Sequence, residues 1–454
     1  MNQNELLHFI SSLNREYIGP LLAVVLLGTG LFFTFRLGFV QRHFFYAIRL
    51  LFQQNNSGSA SKKEGMSPFQ ALTTAIASQI GTGNIVGVST ALMAGGPGAI
   101  FWLWISSLVG MSTNFAEAVL GQLYKSEKDG HVIGGPVYYI LNGLGSKVLA
   151  GIFSVFLILA LGITGIMVQA NSIVNALDRV TPTDINGLYI GMVLMVIVGL
   201  VLAGGITRIA SFAERIVPFM ALLFVLGSIV FVGMHASQLP GVFTDIFHYA
   251  FTPYAPAGGL LGASVMATVR YGVSRGLFSN EAGLGSTPHA HAIAKVKHPY
   301  EQALVALIGI GVNILICTLT ALVILMSGVI ESYPESQGVV IPQYAYCSAF
   351  GEFGNYFIAV SLFFFAFTTI ISWYFFAAQN VRYLFGERLV WPYRFVVMAV
   401  VLVASVLQVN LVWELADTFN FFLIIPNIIA LVFLSPKVVK EVQVMRENMK
   451  KNEL

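Results

Sequence analysis

The chain has 454 residues, of which 56% are hydrophobic and only 10% are charged. Its mean hydropathy of +0.78 excludes an ordinary soluble domain and predicts an all-α polytopic membrane protein, a single domain over residues 1–454 in contact with the lipid bilayer. The net charge of +3 forms no clustered basic face, which argues against nucleic-acid binding. Cys317 and Cys347 are too few for a disulfide framework and are expected to be structural. No feature of the sequence requires a protein partner.

The helical spans follow from the lengths of the apolar runs, because a bilayer core requires about 20 apolar residues per helix. The first run lacks the pattern of a cleaved leader, so we expect it to be retained as a span. The polar connector 125–146 contains GGPVYYI, which predicts a short interfacial helix. The sequence predicts eleven spans, with approximate limits 17–36, 67–95, 98–123, 147–176, 186–204, 207–234, 258–287, 301–329, 352–384, 391–409 and 411–435.

The distribution of basic residues predicts the orientation, because Lys and Arg beside spans are retained on the cytoplasmic side. With the N-terminus outside, every Lys and Arg except Arg15 and Arg179 falls on the cytoplasmic side, including Lys62 and Lys63 in the first loop. We therefore expect a multi-pass protein of the cell inner (plasma) membrane with its N-terminus outside, its C-terminus in the cytoplasm and an odd number of spans. The acidic residues that fall outside are Asp178, Asp184, Asp245, Glu331 and Glu335.

Polar residues concentrate first in the span 67–95. Ser67 before Pro68 predicts a capped helix start at the cytoplasmic face. By Gln79 the helix has risen about 15 Å, half the hydrocarbon core, and the sequence GTGN at 81–84 predicts that it opens there. Backbone groups freed in this way bind ions and carboxylates in transporters. The alternative is close helix packing through Gly83 and Gly87, which leaves the neighbouring polar side chains unexplained.

A second polar stretch covers residues 264–292 and runs in the opposite direction. Gly272 and Gly276 flank Ser274 and predict a second interruption, and two such spans in corresponding halves indicate an inverted-repeat transporter. Five-helix repeats of opposite topology then cover 67–234 and 258–435, after an extra N-terminal helix at 17–36 and before a cytoplasmic tail at 436–454. Arg270 and Arg275 are either substrate ligands or, as we favour, structural or gating residues that snorkel or pair with Glu281 or Glu117. His289 and His291 are expected at the solvated cytoplasmic rim.

The third polar stretch covers residues 363–380. Thr368, Thr369 and Ser372 supply oxygen donors, which hard cations such as sodium prefer, although threonine hydroxyls also bond to their own helix. Trp373 is either the wall of a small pocket or a packed aromatic residue. A further polar pair, Gln169 with Asn171, contacts either a substrate or another helix.

GTGNIVGVSTALMAGGPGAIFWLW (81–104), RGLFSNEAGLGS (275–286) and FTTIISW (367–373) together resemble the alanine or glycine:cation symporter family, also called sodium:alanine symporters. The resemblance runs from about residue 15 to 436. It implies a leucine-transporter-like core of two inverted five-helix repeats after one extra helix. It also implies that sodium is co-transported with a small neutral amino acid, mainly alanine or glycine.

The resemblance further implies roles for individual residues of the broken helices. The amino-acid backbone would contact Ser78, Gln79, Thr82 and Gly83. The substrate side chain would be enclosed by Gln169, Gly272, Ser274, Phe278 and Trp373. Sodium would be bound by the carbonyls of Ala77, Ile80 and Phe365 and the hydroxyls of Thr368 and Thr369. In some relatives the position of Asn84 contributes to a second sodium site.

The expected mechanism is alternating access, in which ions and substrate bind from outside and are released inward. A proton-coupled carrier is the nearest alternative, with Glu117 as its candidate ionisable residue. A membrane-embedded enzyme is disfavoured, because no span pairs a histidine with a serine, cysteine or carboxylate at useful spacing. A passive channel would only equilibrate its substrate.

Overall fold

The computed structural model describes residues 3–56, 65–128, 131–181, 186–254, 264–333 and 340–451. This part of the chain is almost entirely helical. The start of the predicted span 258–287 lies outside the described residues. So do four charged residues of the orientation argument, Lys62, Lys63, Asp184 and Glu335.

Each predicted span contains a helix. The first half comprises α1 (Gln3–Leu13), α2 (Gly19–Arg36), α3 (Phe44–Asn56), α4 (Pro68–Gln79), α5 (Val88–Gly95), α6 (Ala99–Leu123), α7 (Pro136–Leu144), α8 (Lys147–Leu159), α9 (Ile166–Asp178), α10 (Gly187–Leu202) and α11 (Gly205–Met234). The second half comprises α12 (Leu239–Tyr249), α13 (Val265–Asn280), α14 (Pro288–His291), α15 (Pro299–Ser327), α16 (Val329–Ser332), α17 (Val340–Phe350), α18 (Glu352–Phe385), α19 (Val390–Ala404) and α20 (Val409–Lys450). Shorter π-helical segments are Asn14–Ile18, Gly83–Gly87 and Ala160–Gly165.

Length and hydropathy identify the helices that can cross a membrane. Within the described residues, seven meet both criteria: Glu5–Arg36, Ala99–Leu123, Lys147–Asp178, Arg208–Met234, Pro299–Ser327, Glu352–Phe385 and Val409–Lys450. Gly83–Gly95 and Gly187–Leu202 are apolar but shorter. The remaining predicted spans correspond to helices that are short or interrupted by polar residues.

The ends of the first and last spans differ from the prediction. The first helix begins at Gln3 rather than near residue 17. The last continues to Lys450, so most of the predicted tail 436–454 is helical. Apolar side chains at i, i+4 and i+7 hold this extension to the protein, because Val438, Val442 and Met445 are buried.

The connector between α6 and α8 contains more structure than its polarity indicates. The predicted short helix is confirmed as α7 (Pro136–Leu144). A small antiparallel hairpin, formed by β1 (Ser126–Lys128) and β2 (His131–Ile133), precedes it and was not predicted.

The predicted interruption at Gly272 and Gly276 is wrong, since α13 is continuous through both glycines. A Cβ atom on Gly272 would lie 2.3 Å from the carbonyl oxygen of Ala99, and one on Gly276 would lie 2.4 Å from Oγ of Ser106. The glycines therefore serve close packing against α6. The helix ends instead at Asn280, followed by Glu281 in the left-handed conformation at φ 58°.

Candidate functional site

The first interruption lies where the sequence predicts it. Ser67 and Gln70 form a reciprocal capping box at the start of α4. The helix runs to Gln79, and Ile80 leaves helical geometry at φ −100° and ψ 86°. Helical structure resumes at Gly83. The break is buried inside the protein, one of the two settings in which a membrane interior tolerates irregular backbone.

Two side-chain amides hold the break open by accepting backbone hydrogen bonds. The amide of Gly81 donates to Oδ1 of Asn84 at 3.1 Å. The amide of Thr82 donates to Oε1 of Gln169 on α9 at 3.0 Å. In an unbroken helix these amides would donate to carbonyls four residues earlier. The carbonyls released in this way are those of Ala77 and Ser78.

The freed carbonyls converge on one side chain of α18. Oγ1 of Thr369 lies 2.9 Å from the carbonyl oxygen of Ala77, 3.3 Å from that of Ile80 and 2.9 Å from that of Phe365. The carbonyl oxygen of Ser78 is 3.5 Å away. A hydroxyl has one proton to donate, so this cluster holds more acceptor oxygens than one proton can serve. Such a set of neutral oxygens suits a small hard cation.

Thr368 lies at the edge of this cluster. Its hydroxyl is 3.0 Å from the carbonyl oxygens of both Phe364 and Phe365 on its own helix. It also contacts Sδ of Met220 on α11 at 3.8 Å. The hydroxyls of Thr368 and Thr369 therefore share the carbonyl oxygen of Phe365. The other contacts of the Thr368 hydroxyl are to Phe364 and Met220, which are not part of the break.

Glycine is required at the break because of what surrounds it. A Cβ atom on Gly81 would lie 2.6 Å from Oγ1 of Thr369 and 2.9 Å from Oε1 of Gln169. A Cβ atom on Gly83 would lie 3.0 Å from Cδ1 of Phe278. The two glycines therefore let α18, α9 and α13 approach the backbone of the first broken helix.

A polar network ties the two interrupted helices together. Nε2 of Gln79 donates to the carbonyl oxygen of Asn280 at 2.9 Å. Nδ2 of Asn313 on α15 donates to the carbonyl oxygens of Gln79 and Ser279 at 2.9 and 2.8 Å. Cys317 accepts from Nδ2 of Asn84 at 3.4 Å. Asn313 and Cys317 therefore help to hold the ends of both broken helices.

Two polar atoms near the break are available to a ligand. Oε1 of Gln79 and Oγ1 of Thr82 are buried, and neither has a hydrogen-bond partner among the described residues. Phe278 and Trp373 cover the same region with their rings at right angles and their centroids 5.8 Å apart. The break thus combines polar atoms with an aromatic cover.

Glu281 is the residue at this site that the sequence reasoning assigned to another role. Its carboxylate accepts from Oγ of Ser78 at 2.9 Å, from Nε1 of Trp373 at 2.6 Å and from Oγ of Ser286 at 2.5 Å. The sequence pattern assigns Glu281 only to an ion pair with an arginine. Its position directly after a mid-membrane Ser-Asn pair was the available signal, since buried carboxylates in spans mark functional sites.

The expected pairing of Arg275 with Glu281 or Glu117 is wrong. Nη2 of Arg275 lies 2.9 Å from Oδ2 of Asp417 on α20, and its guanidinium stacks 4.7 Å from the ring of Trp413. The ion pair joins α13 to α20 beside the candidate site.

Glu117 has a different set of partners. It accepts from the amides of Gly283 and Gly285 at 3.2 and 2.9 Å and from Nδ2 of Asn427 at 2.6 Å. The two glycine amides therefore bind this carboxylate to the turn after α13, and Asn427 of α20 donates both to the carboxylate and to the carbonyl oxygen of Gly283. Glu117 therefore anchors the segment that follows the end of α13.

The expected solvation of His289 and His291 is wrong, because both side chains are buried. Nδ1 of His289 lies 2.8 Å from the carbonyl oxygen of Ser286, and its Nε2 lies 2.9 Å from Nδ2 of Asn380. Nδ1 of His291 lies 2.9 Å from Nε2 of Gln302. The segment after Pro288 packs into the protein instead of facing solvent.

Two further predicted residues are not drawn to the break. Gly272 packs on α6, as described above. Ser274 lines a separate cavity of about 120 Å³ with Asn14, Arg270 and Asp417. The structure therefore brings together most of the predicted residues, but not these two.

A larger cavity lies beyond the second half of the broken helix. It measures about 510 Å³, and Val86, three residues after Gly83, is part of its wall. Its polar wall includes Asn171, Asn175, Asp178 and Arg179. Asn171 also donates to the carbonyl oxygens of Ala404 and Leu407, so it contacts another helix rather than the break.

Proteins of other organisms resemble this chain over nearly its whole length. A model of the sodium:alanine symporter family matches residues 3–454. An uncharacterized transporter of Haemophilus influenzae is 42% identical over 92% of this chain and 86% of its own. The sodium/alanine symporter AgcS of Methanococcus maripaludis is 39% identical over 98% of each chain. The probable sodium/glutamine symporter GlnT of Bacillus subtilis is 38% identical over 96% of this chain and 90% of its own.

Solved structures give an independent view of the fold. A manganese transporter of Eremococcus coleocola superimposes with a TM-score of 0.56 at 14% identity, covering 81% of this chain and 80% of the transporter. This likeness shows a membrane-transporter fold. The family model and the similar relatives lead to one conclusion: this chain belongs to the sodium:alanine symporter family.

Proposed function

We propose that this protein is a secondary active transporter that couples sodium to the uptake of a small neutral amino acid, with alanine or glycine as the preferred substrate. The observation that carries the proposal is the oxygen cluster around Thr369, in which carbonyls freed by the helix break and one carbonyl of α18 face one hydroxyl. Membership of a symporter family supports it. Two relatives are named as a sodium/alanine symporter and a probable sodium/glutamine symporter, which supports a neutral amino acid as the substrate. Because alanine and glutamine differ in length, these names leave the size of the substrate side chain open.

The proposed architecture is eleven membrane spans in the inner membrane, with the N-terminus outside and the C-terminus in the cytoplasm. One extra helix precedes two inverted five-helix repeats of the leucine-transporter type, over 67–234 and 258–435. Two interrupted helices in corresponding places support this arrangement, one broken between Gln79 and Gly83 and the other ending at Asn280.

In this proposal, sodium occupies the oxygen cluster. Its ligands are the carbonyls of Ala77, Ile80 and Phe365 and the hydroxyls of Thr369 and Thr368. All five oxygens are neutral, so the ion is bound firmly enough to enter and weakly enough to leave. Asn84 is held by Gly81 and Cys317, and it would contribute to a second sodium only after releasing one of these contacts.

The amino acid is placed beside the ion, at the start of the second half-helix. The substrate carboxylate lies against the backbone at Thr82 and Gly83, because a helix N-terminus favours negative charge. The buried polar atoms of Ser78 and Gln79 bind the remainder of the backbone. Phe278, Trp373 and Gln169 enclose the side chain, and a pocket with two aromatic walls favours a small one. Gly272 contributes only through the packing of α13 on α6, and Ser274 lines the separate cavity described above.

Transport proceeds by alternating access. Ion and substrate each stabilise the same closed arrangement of the two broken helices, which couples their binding. One sodium charge crossing a 100 mV potential supplies about 2.3 kcal/mol, which drives accumulation of the amino acid even without a sodium gradient.

Reconstitution into proteoliposomes tests the proposal. Labelled alanine should accumulate above its external concentration when sodium is present outside, and it should not accumulate when potassium replaces sodium. Uptake in sodium-free buffer under an inward proton gradient would favour the proton-coupled alternative. The proposal fails if no small neutral amino acid accumulates in a sodium-dependent way, or if uptake only equilibrates as in a channel.

A further inference from the structure

One face of α18 carries buried polar atoms that have no hydrogen-bond partner among the described residues. They are Oγ of Ser361, Oγ of Ser372, both amide atoms of Gln379 and Oδ1 of Asn380, each buried and without a hydrogen-bond partner among the described residues. These side chains are at most 3% exposed. Such groups are costly in a membrane interior unless water or a ligand meets them in another state.

These residues share a single stripe of the helix surface. At 3.6 residues per turn, Ser361, Thr369, Ser372, Gln379 and Asn380 fall within an arc of about 100°. The stripe therefore includes the hydroxyl around which the freed carbonyls gather. Its members are neutral, and each offers at least one oxygen.

Other polar groups of α18 have partners. The hydroxyl of Thr368, which lies at the edge of the stripe about 20° from Ser361, bonds to carbonyls of its own helix. The hydroxyl of Tyr374 accepts from Nε of Arg394 at 3.2 Å. The unpartnered atoms are thus a property of one face rather than of the whole helix.

The stripe is also long enough to cross the membrane. From Ser361 to Asn380 the helix rises about 28 Å at 1.5 Å per residue, close to the thickness of a hydrocarbon core. Thr369 lies between the two ends. Gln379 and Asn380 lie near the end of the helix at which Arg382 forms a partly exposed ion pair with Glu387.

We propose that the inner part of this stripe, formed by Ser372, Gln379 and Asn380, is the path by which sodium and its water leave the oxygen cluster for the cytoplasm. The inference rests on the proposed function and adds the route of release. Neutral oxygens spaced along one face of the helix replace part of the ion's hydration without trapping it. In this structure α18 is packed against α4, α8 and α9, so the path is closed.

The element that closes the path is also visible. Nε2 of His289, on the short helix α14 after the second interruption, lies 2.9 Å from Nδ2 of Asn380. The ring of His289 stacks on Phe376 at 5.4 Å, between Ser372 and Gln379 along the stripe. Displacement of α14 would therefore uncover Asn380 and the part of the stripe around Phe376.

Cysteine accessibility tests the path directly. Half-exposed Cys347 is replaced by serine, while buried Cys317 is retained. Gln379→Cys is compared with Ala378→Cys, which lies one residue away on a different face and is also buried. A charged thiol reagent is added to the cytoplasmic side of everted vesicles, in potassium or in sodium with alanine. We expect Gln379→Cys to react about tenfold faster than Ala378→Cys in potassium, because reactivity follows access to water, and to be protected by sodium with alanine.

The transport assay supplies a second readout in right-side-out vesicles, where uptake ends with the release of sodium on the cytoplasmic side. Gln379→Leu should slow net sodium-driven uptake about tenfold, a barrier of about 1.4 kcal/mol. Alanine exchange with sodium saturating on both sides should fall much less, since exchange does not require sodium release. The path is refuted if wild-type vesicles show sodium-dependent uptake but Gln379→Cys reacts no faster than Ala378→Cys, or if exchange and net uptake fall equally. Absence of sodium-dependent uptake in wild-type vesicles refutes the proposed function itself.

Discussion

Replacement of Thr369 by valine is the sharpest test of the oxygen cluster. Valine has nearly the same shape as threonine, so the packing of α18 is preserved while one oxygen is removed. That oxygen lies within 3.3 Å of the carbonyl oxygens of Ala77, Ile80 and Phe365. The substitution therefore removes the group on which the freed carbonyls converge and leaves the carbonyls themselves in place.

The size of the effect follows from the loss of one neutral ligand. A hydrogen bond to a charged group contributes about 1.5–3 kcal/mol, and we take the loss of one oxygen from the ion to be similar. Because about 1.4 kcal/mol corresponds to a tenfold change in affinity, half-saturating sodium should rise about 10- to 100-fold in Thr369→Val. Thr369→Ser keeps the hydroxyl and loses one methyl group, so its change should stay within about fourfold.

The assay is the initial rate of labelled alanine uptake in proteoliposomes, measured as a function of external sodium at fixed ionic strength. Thr368→Val is the matched comparison on the same helix, and we expect a smaller shift because the contacts of Thr368 are mostly within α18. Equal half-saturating sodium for Thr369→Val and the wild type, at normal amounts of folded protein, would refute the assignment of the cluster to sodium.

Three further predictions concern the surroundings of the site. Gly81→Ala should abolish uptake, because its Cβ atom would lie 2.6 Å from the hydroxyl oxygen of Thr369. Gly28→Ala is the control on an exposed helix face, where no atom lies within 4 Å of the new Cβ atom. This control should retain uptake and have a slightly higher thermal midpoint. Glu281→Gln replaces one of two acceptor oxygens by a donor and should destabilise the protein by about 1–3 kcal/mol, so an unchanged thermal midpoint would contradict the network. Arg275→Leu should cost up to about 3 kcal/mol, because Asp417, whose side chain is 18% exposed, is left without its cation. The double variant with Asp417→Leu should recover most of this loss, and purely additive losses would count against the ion pair.

The first interruption was predictable because its causes lie close together in the sequence. Ser67 and Pro68 set where the helix starts, and counting from there places Gln79 at mid-membrane. Gly81 and Gly83 then supply a backbone that can open. Because the same few residues determine both the position and the conformation, a local pattern was sufficient.

The sequence pattern places the second interruption about one helical turn too early, because the contacts that end α13 come from distant parts of the chain. Glycines at 272 and 276 give the same signal whether a helix opens or packs closely, and here the surface of α6 decides in favour of packing. The helix ends at Asn280, and the turn beyond it is held by Glu117 from α6 and by Asn427 from α20. No pattern within the stretch itself indicates those partners.

The contact between Gln169 and the amide of Thr82 has a consequence for biogenesis. The two residues are 87 positions apart, so the segment from Pro68 to Gly95 enters the bilayer before its distant acceptor has been synthesised. A nascent chain stopped short of Gln169 lacks the group that occupies the Thr82 amide, and the backbone at that point favours its ordinary intrahelical bond. We therefore expect the interruption to form late, when α9 docks, so that transport competence is acquired after insertion rather than during it.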